Sequence, residues 1–322
     1  MDALTIVDDD LALAAELGLV RGTMHPVDHA EWMAAYDRIR RHTVTFDSGG
    51  SCANTVATVG RLGGRALFCG QVGDDQMGHQ YGSLMAKANG GHALVFEPKL
   101  ATGKCLSIIS GRDAERTMLT DLGAAIRLAA LPAAFEVGLR ATEIAHFTGY
   151  ELLDPGMREH VFQAMGTAAE GGARVSFDAA DPFVVAGNRD MVWDVLTRFV
   201  DIAFLNADEA RGLTGEDPAD AARAIAARAD VHLIVIKMGG QGSLLYHDGH
   251  SERVGARRVA AIDTTGAGDS YAGGFLYGVA HGWEPRRCAQ LGAAVAALTV
   301  SQVGATVKET SLLAAALASV TA

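Results

Sequence analysis

The second half of the chain alternates short runs of apolar, β-branched residues with longer segments of helical periodicity. The runs EIAHFTG, RVSFDAA and DIAFLN are followed by helical patterns at 156–171, 188–199 and 207–228, and VHLIVIK comes before the glycines at 239–242. Parallel strands need crossover connections of this length, and helices usually form them. The alternation therefore predicts an α/β fold with a mainly parallel sheet and helices on both of its faces.

Two regions interrupt this alternation. Residues 4–47 and 92–122 show short strand patterns of mixed polarity, such as RHTVTFD, HALVFEP, KCLSIIS and RTMLTDL. These patterns predict a small sheet outside the main one, which we interpret as a lid over the site of the larger domain. The predicted large α/β domain binds nucleotide and substrate and comprises residues 1–7, 48–91 and 123–322. The predicted small β lid comprises residues 8–47 and 92–122.

Composition limits the partners that this chain can have. At 322 residues and 49% apolar it can bury the core of one large domain with a smaller appendage. The net charge of -11 and the lack of a Lys/Arg-rich run exclude a nucleic-acid backbone as an expected partner. No stretch approaches 18 uninterrupted apolar residues, the four cysteines form no C-x-x-C pair, and no signal peptide pattern is present. We therefore expect a cytoplasmic protein that acts on a small molecule.

The run IDTTGAGDSYAGG, residues 262–274, is the densest cluster of small residues. Gly266, Ala267 and Gly268 let the backbone approach a ligand, and the apolar helical pattern after them places N–H groups at a helix start, where anions bind. A phosphate bound there would repel Asp269 unless this carboxylate takes a proton from an attacking hydroxyl. Phosphoryl transfer needs both functions. The alternative is a glycine turn in which Asp269 only stabilises the helix dipole.

Several motifs resemble those of a known family. DTTGAGDSYAGGF is similar to the C-terminal signature of the ribokinase-like (PfkB) carbohydrate kinases, and SGGSCANTVATVGRLGG, residues 48–64, is similar to their N-terminal glycine signature. FCGQVGDDQMG, DIAFLNADEA and KMGGQGS extend the resemblance over nearly the whole chain. AERTMLTDLGAA and LGLVRGTM look most like the adenosine-kinase-like branch, whereas KMGGQGS is closer to sugar kinases. The resemblance implies a ribokinase-like three-layer sandwich with a mainly parallel central sheet and a small β-sheet lid.

The resemblance also implies roles on the acceptor side of the reaction. Asp269 would be the general base that deprotonates a primary hydroxyl, and the amides of the three residues before it would form the anion hole. Arg116, on the predicted lid, would reach the phosphates on closure, although an arginine on a surface strand is usually solvated. The substrate-binding positions that match are Asp2, Gly49, Gly50 and Asn54, of which the last three could instead be a turn and a helix-face residue.

Further roles concern the nucleotide and its ions. Asn206 and Glu209 match the N-x-x-E motif that orders water around Mg²⁺ and the phosphates, but by themselves they are an ordinary strand end and helix start. The resemblance assigns Lys237, Gly239 and Gly242 to the nucleotide site. A monovalent cation such as K⁺ would lie beside Asp263, Thr265 and Gly304, although Lys308 stands where relatives often have a serine.

These observations predict an ATP-dependent, Mg²⁺-dependent kinase that phosphorylates a primary hydroxyl of a sugar moiety. Adenosine or another nucleoside is the first candidate substrate, and a free sugar such as fructose, ribose or 2-keto-3-deoxygluconate is the alternative. A non-catalytic ligand-binding relative is a third interpretation. The resemblance further implies pairing of two chains through the lid. Because relatives have a strand with Gly-Asn before the aspartate that aligns with Asp2, we also expect that Met1 is not the natural start or that the chain is a truncated relative.

Overall fold

The computed structural model describes residues 1–113 and 115–321. The chain divides into two compact units, each made of three segments. Unit 1 comprises Met1–Leu128, Val259–Ser270 and Ala296–Leu313. Unit 2 comprises Ala129–Arg258, Tyr271–Val295 and Ala314–Ala322. In the parts of the chain that the structure describes, no helix is both long enough and apolar enough to cross a membrane.

Unit 1 contains a mixed sheet, a separate pair of strands and several helices. Its strands are β1 Asp2–Val7, β2 Met24–Pro26, β3 Thr45–Asp47, β4 Cys69–Gly73, β5 Ala93–Glu97, β6 Lys104–Ser110 and β7 Arg116–Asp121. Its helices are α1 Asp10–Leu17, α2 His29–Ile39, α3 Ser51–Arg61 and α4 Gln76–Asn89. The mixed sheet has the order β2-β7-β6-β1-β3, and β4 pairs in parallel with β5.

The two faces of the mixed sheet have different surroundings, because side chains alternate along each strand. Ala3, Leu106 and Leu119 are cross-strand neighbours that pack into one buried cluster with Trp32 and Ile39 of α2. The next row of the register carries Asp2, Cys105 and Thr120, which therefore lie on the opposite face. This alternation places Asp2 on the face away from α2.

The prediction of short strands over residues 4–47 is wrong for the parts of that segment that form α1 and α2. The cause is a helix start that the strand interpretation overlooked: Asp28 and Glu31 form a capping box, with hydrogen bonds of 2.8 and 2.9 Å between each side chain and the other's amide. Helix α2 then buries Trp32, Ala35 and Ile39, the spacing of one helical face.

Strand membership also differs from the prediction in two places. β1, which was placed with the large domain, lies in the mixed sheet between β6 and β3, and β5 pairs with β4 outside that sheet. HALVFEP therefore forms a strand as expected but in a different sheet, because its neighbour is the strand of FCGQVG. The predicted domain boundaries and the movement of a lid stay predictions.

Unit 2 confirms the predicted alternation of strands and helices. Its strands are β8 Ile144–Thr148, β9 Arg174–Asp178, β10 Ile202–Asn206, β11 Leu233–Lys237, β12 Ser243–His247 and β13 His250–Val254. β8 to β11 run parallel, and β12 and β13 extend the sheet antiparallel. Its helices are α5 Ala133–Leu139, α6 Pro155–Glu170, α7 Pro182–Phe199, α8 Ala207–Thr214 and α9 Pro218–Ala229.

The helical pattern at 207–228 forms two helices rather than one. Gly215 ends α8 with φ of 86° and donates its N–H to the carbonyl of Arg211 at 2.7 Å, and Pro218 begins α9. The C-terminal part of the chain adds α10 Ala267–Ala280, α11 Pro285–Val300 and α12 Thr310–Thr321. The start of α10 falls at the glycines of DTTGAGD, as the sequence predicts.

Candidate active site

The carboxylate of Asp269 is held by two side chains from the first turn of α3. Ser51 Oγ donates to Oδ1 at 2.7 Å, and Asn54 Nδ2 donates to Oδ2 at 2.9 Å. Thr55 Oγ1 also donates to the Asp269 carbonyl at 3.2 Å. These two bonds fix the direction of each carboxylate oxygen. The structure brings together two predicted site residues, Asn54 and Asp269, and adds Ser51, which the sequence analysis did not single out.

The backbone before Asp269 forms a tight turn, residues 266–268, which we call the glycine turn. Gly266 has φ of 68°, and a Cβ atom there would lie 2.3 Å from the carbonyl oxygen of Ala305. Only glycine fits this position. The Ala267 amide makes a long bond of 3.3 Å to the Thr264 carbonyl, and the Gly266 carbonyl accepts from Ser270 N at 2.8 Å as α10 begins. The turn thus presents amides at a helix start, where an anion is favoured.

A second turn, residues 48–50, lies at the end of β3, and we call it the acceptor turn. A Cβ atom on Gly49 would lie 2.0 to 2.3 Å from the carboxylate atoms of Asp2, so glycine lets the backbone meet this side chain. Tyr81 Oη donates to the Gly49 carbonyl at 2.9 Å, and Gly50 has φ of 102°. The predicted substrate-binding residues Asp2, Gly49 and Gly50 are therefore neighbours.

Charges and buried polar atoms mark the same region. Burial raises the pKa of the Asp2 carboxyl to about 6, and the carboxylates of Asp47 and Asp269 add to this rise. The Met1 ammonium and, more weakly, the guanidinium of Arg116 oppose it. Asn54 Oδ1 and Arg116 Nε are buried and have no hydrogen-bond partner among the described residues. A buried acceptor and a buried donor without partners fit a polar ligand that supplies hydroxyl groups.

The predicted cation residues also come together. Asp263 is fully buried, its Oδ1 accepts from Thr265 N at 2.9 Å and Thr265 Oγ1 at 2.5 Å, and its Oδ2 accepts from Gly304 N at 2.9 Å. Within residues 1–113 and 115–321 no group of three or more His, Cys, Asp or Glu could hold a metal ion. Lys308 makes an ion pair with Asp47 instead, at 3.2 Å.

In unit 2, the predicted N-x-x-E motif begins α8 at the carboxyl end of β10. Asn206 Oδ1 accepts from Glu209 N at 2.8 Å, and the Glu209 carboxylate accepts from Asn206 N at 2.7 Å and Asn206 Nδ2 at 2.6 Å. The pair is a capping box, which accounts for it structurally. Lys237, at the end of β11, pairs with Asp178 Oδ2 at 2.5 Å. The sequence analysis did not single out Asp178 as a site residue. Its position was a usable signal, because ligands bind at the carboxyl ends of parallel strands in such sheets.

The predicted nucleotide-site glycines lie in the turn between β11 and β12. Gly239 has φ of 54° with open space around it, whereas a Cβ atom on Gly242 would lie 2.0 Å from the carbonyl oxygen of Val254. Close packing of Gly242 against the end of β13 brings this turn next to Gly255. Gly255 borders a cavity of about 240 Å³, whose other lining residues are Arg257, Gln290, Ala293, Ser319 and Val320. No sequence motif indicated this cavity.

The carboxyl of Glu209 in unit 2 has a raised pKa, which leads to a prediction on the pH dependence of nucleotide binding. Burial raises the pKa of its carboxyl to about 7, Lys237 opposes the rise, and Asp178 adds to it. If ionised Glu209 supports Mg²⁺-nucleotide binding, the KM for Mg²⁺-ATP should rise as the pH falls from 8 to 6, by at most about tenfold per pH unit below the pKa. Initial rates across this range would show the rise in the wild type and a flat, high KM in Glu209→Gln. A flat KM in the wild type would remove Glu209 from nucleotide binding.

Fold and site together define a class, the α/β kinases that phosphorylate an alcohol of a small molecule. The model of the pfkB family carbohydrate kinases matches residues 21–311, so the chain belongs to this family. It is 29% identical to fructokinase-2 of Solanum habrochaites over 71% of each chain. It is 30% identical to 5-dehydro-2-deoxygluconokinase of Lacticaseibacillus casei, over 83% of this chain and 85% of that one.

Solved structures confirm the ribokinase-like fold. Adenosine kinase from Sinorhizobium meliloti is 28% identical, with a TM-score of 0.88 over 99% of this chain and 96% of that one. A probable sugar kinase from Rhizobium etli CFN 42 has the same identity, TM-score and coverage. The chain is accordingly a PfkB-type sugar or nucleoside kinase, a phosphotransferase with an alcohol group as acceptor, and its similarities include both nucleoside and sugar kinases.

Proposed function

We propose that this protein transfers the γ-phosphoryl group of ATP to a primary hydroxyl of a sugar moiety, with Asp269 as general base. The main observation in support is that Ser51 and Asn54 hold the Asp269 carboxylate in one orientation, directly after the glycine turn. The acceptor hydroxyl gives its proton to Asp269 as its oxygen attacks the γ-phosphorus, and the bond from that phosphorus to the β,γ-bridging oxygen breaks to release ADP. The amides of the glycine turn stabilise the negative charge of that group. A protein that only binds its ligand has no need of a base at this position.

Asp2, Gly49, Gly50 and Asn54 are proposed to bind the acceptor. A nucleoside is the first candidate, because the adenosine kinase structure matches 99% of this chain. A free sugar is the second, because the curated relatives include fructokinases and a 5-dehydro-2-deoxygluconokinase. In either case, Asn54 Oδ1 and Arg116 Nε support a substrate rich in hydroxyl groups, because both atoms are buried and lack a hydrogen-bond partner in the described part of the chain.

In unit 2, we propose that Asn206, Glu209, Lys237, Gly239 and Gly242 bind the nucleotide. The cavity beside Gly255 is the proposed place of the base, since the Gly242 turn packs next to it. Lys237 is already paired with Asp178, so it supplies a cation whose charge is partly balanced before ATP binds.

Two ions belong to this proposal. Glu209 would hold Mg²⁺ through water, because the nearby carboxylates of Asp178 and Asp181 create an excess of negative charge that a hydrated cation would balance. The charge that Mg²⁺ supplies would neutralise the phosphates. Asp263, with Thr265 and Gly304 around it, fits a monovalent cation such as K⁺, because within residues 1–113 and 115–321 its buried carboxylate accepts from neutral donors and has no ion pair. Pairing of two chains through the predicted lid and a cytoplasmic location stay predictions from the sequence.

An ATP-consumption screen over adenosine, inosine, fructose, ribose and 2-keto-3-deoxygluconate tests the substrate. We expect one class of acceptor to raise ADP formation well above the rate with water alone. A nucleoside with the highest kcat/KM supports the first candidate, and a free sugar with the highest value supports the second. ADP formation that no acceptor accelerates would contradict both.

Arg116→Ala should lower kcat more than it weakens ATP binding, because the guanidinium is proposed to meet the phosphates only when the lid is closed. The variant also removes one of the two cations that oppose the raised pKa of Asp2, the other being the Met1 ammonium, so its KM for the acceptor should be higher at pH 6 than at pH 8. Steady-state kinetics at both pH values check this. Equal losses in kcat and ATP affinity at both pH values would argue against the role.

A further inference from the structure

The loop between α11 and α12, residues 301–309, forms the backing of the glycine turn. The Ala305 carbonyl lies where a side chain on Gly266 would be, and it accepts from Ser270 Oγ at 3.1 Å. Gly304 N donates to Asp263 at 2.9 Å. A displacement of this loop would therefore move the glycine turn, since the two backbones are in direct contact.

The same loop contacts the residue that precedes the acceptor turn. The Asp47 side chain is 2% exposed, and its Oδ1 accepts from Ser48 N at 2.9 Å. Its Oδ2 lies 3.6 Å from the position of a Cβ atom on Gly304 and receives no hydrogen bond among the described residues. A buried carboxylate needs a compensating cation. Lys308 supplies it, at 3.2 Å, from the end of the loop.

A second cation fixes the loop from α3. Arg61 Nη1 donates to Thr306 Oγ1 at 2.5 Å and to the Val307 carbonyl at 3.1 Å. Arg61 thus holds the middle of the loop by neutral groups and attracts the Asp47 carboxylate from a longer distance, whereas Lys308 forms the ion pair with it. Removal of Lys308 would leave that buried charge beside Gly304 without its ion pair.

We propose that Lys308 is a positioning residue, which through its ion pair with Asp47 holds the loop 301–309 against both the acceptor turn and the glycine turn. The proposal rests on the kinase function above, in which these two turns carry the hydroxyl and the phosphoryl group. Misplacement of reacting groups by about 1 Å can cost about 10²-fold in rate. Lys308 therefore affects kcat without touching either substrate.

The test compares Lys308→Met, which keeps an apolar stem without charge, with Lys308→Arg, which keeps the charge. We expect kcat to fall roughly 10- to 10²-fold in Lys308→Met, with the KM for ATP within a few-fold of wild type, and most of kcat to return in Lys308→Arg. Lys87→Met removes an exposed lysine of α4 and serves as the matched control. Thermal melting of all variants identifies any loss through unfolding.

A cation rescue separates positioning from general stability. Lys308 is 54% exposed, so ammonium or methylammonium ions can reach Asp47 in Lys308→Ala. We expect these ions to restore kcat saturably in that variant. The same salts could also act at the proposed monovalent-cation site at Asp263, so their effect on the wild-type kcat serves as the baseline. Asp47→Asn should remove the need for the cation, so Asp47→Asn/Lys308→Met should be no slower than Lys308→Met alone.

Amide hydrogen exchange gives a readout that does not depend on turnover. We expect faster exchange at 48–50 and 301–309 in Lys308→Met than in Lys87→Met. If the wild type phosphorylates no acceptor, the kinase proposal fails, and this exchange experiment still decides whether the ion pair orders the two segments. Unchanged exchange and a kcat within threefold of wild type would overturn the positioning role. The role would also be overturned if no cation restored kcat in Lys308→Ala and if the losses in kcat of Asp47→Asn and Lys308→Met added up in the double variant.

Discussion

Asp269→Asn is expected to lower kcat by roughly 10²–10⁴, the usual contribution of a positioned general base. The fold should tolerate this change, because asparagine can keep both side-chain contacts. Its carbonyl oxygen can accept from Asn54 Nδ2, and its amide can donate to Ser51 Oγ, since a hydroxyl accepts as well as donates. Binding of ATP and acceptor should stay near wild type, because the variant removes proton acceptance and keeps the contacts with Ser51 and Asn54.

Calorimetry for binding and single-turnover kinetics for the chemical step check this expectation. Asp220→Asn is the matched control, since Asp220 also lies in the first turn of a helix, α9, and is on the surface. If Asp269 only stabilises a helix dipole, the two variants should differ from wild type to a similar, small extent. Turnover of Asp269→Asn within a few-fold of wild type would remove this residue from the mechanism.

Gly266→Ala is the second change with a large expected effect, a loss of at least about 10²-fold in kcat, the cost of removing one donor from an anion hole. The new Cβ atom would lie 2.3 Å from the Ala305 carbonyl oxygen, so the glycine turn or the loop 301–309 has to move. The left-handed φ of 68° adds a backbone cost of about 1–2 kcal/mol for a residue with a Cβ.

Gly282→Ala separates the backbone cost of the left-handed φ from the cost of the steric contact. Gly282 has the same φ of 68°, and nothing lies within 4 Å of the place its Cβ would take. We therefore expect Gly282→Ala to lower the melting temperature modestly and leave kcat unchanged, whereas Gly266→Ala loses both stability and rate. Equal kcat in the two variants would show that the glycine turn does not stabilise the transferred group.

The sequence predicted the parts of the fold that local patterns determine. The apolar, β-branched runs correctly gave the parallel strands β8 to β11, because buried parallel strands need such residues. The segment before residue 47 was predicted less well. The strand interpretation rested on mixed polarity and passed over the capping box of Asp28 and Glu31, and only Thr45–Asp47 of RHTVTFD is strand.

The sequence likewise predicted the site residues that belong to local motifs, but not the contacts between residues distant in sequence. Motifs identified Asp269, Gly266 and Asn206, because each motif lies within a few residues of sequence. Ser51 was not singled out as a ligand of Asp269, since 218 positions separate the two residues in sequence. The Lys237–Asp178 and Lys308–Asp47 ion pairs likewise depend on contacts between distant strands and loops, which no local pattern encodes.

The central claim is that Asp269 makes this chain a kinase of a primary hydroxyl. The most direct measurement is phosphorus NMR and mass spectrometry of the product formed from Mg²⁺-ATP and the best acceptor of the screen. We expect one phosphate per acceptor, on the primary CH₂OH carbon, formed in step with ADP by the wild type and nearly absent with Asp269→Asn. Tight binding of ATP and acceptor with no phosphorylated product, or a phosphate on a secondary hydroxyl, would contradict the account.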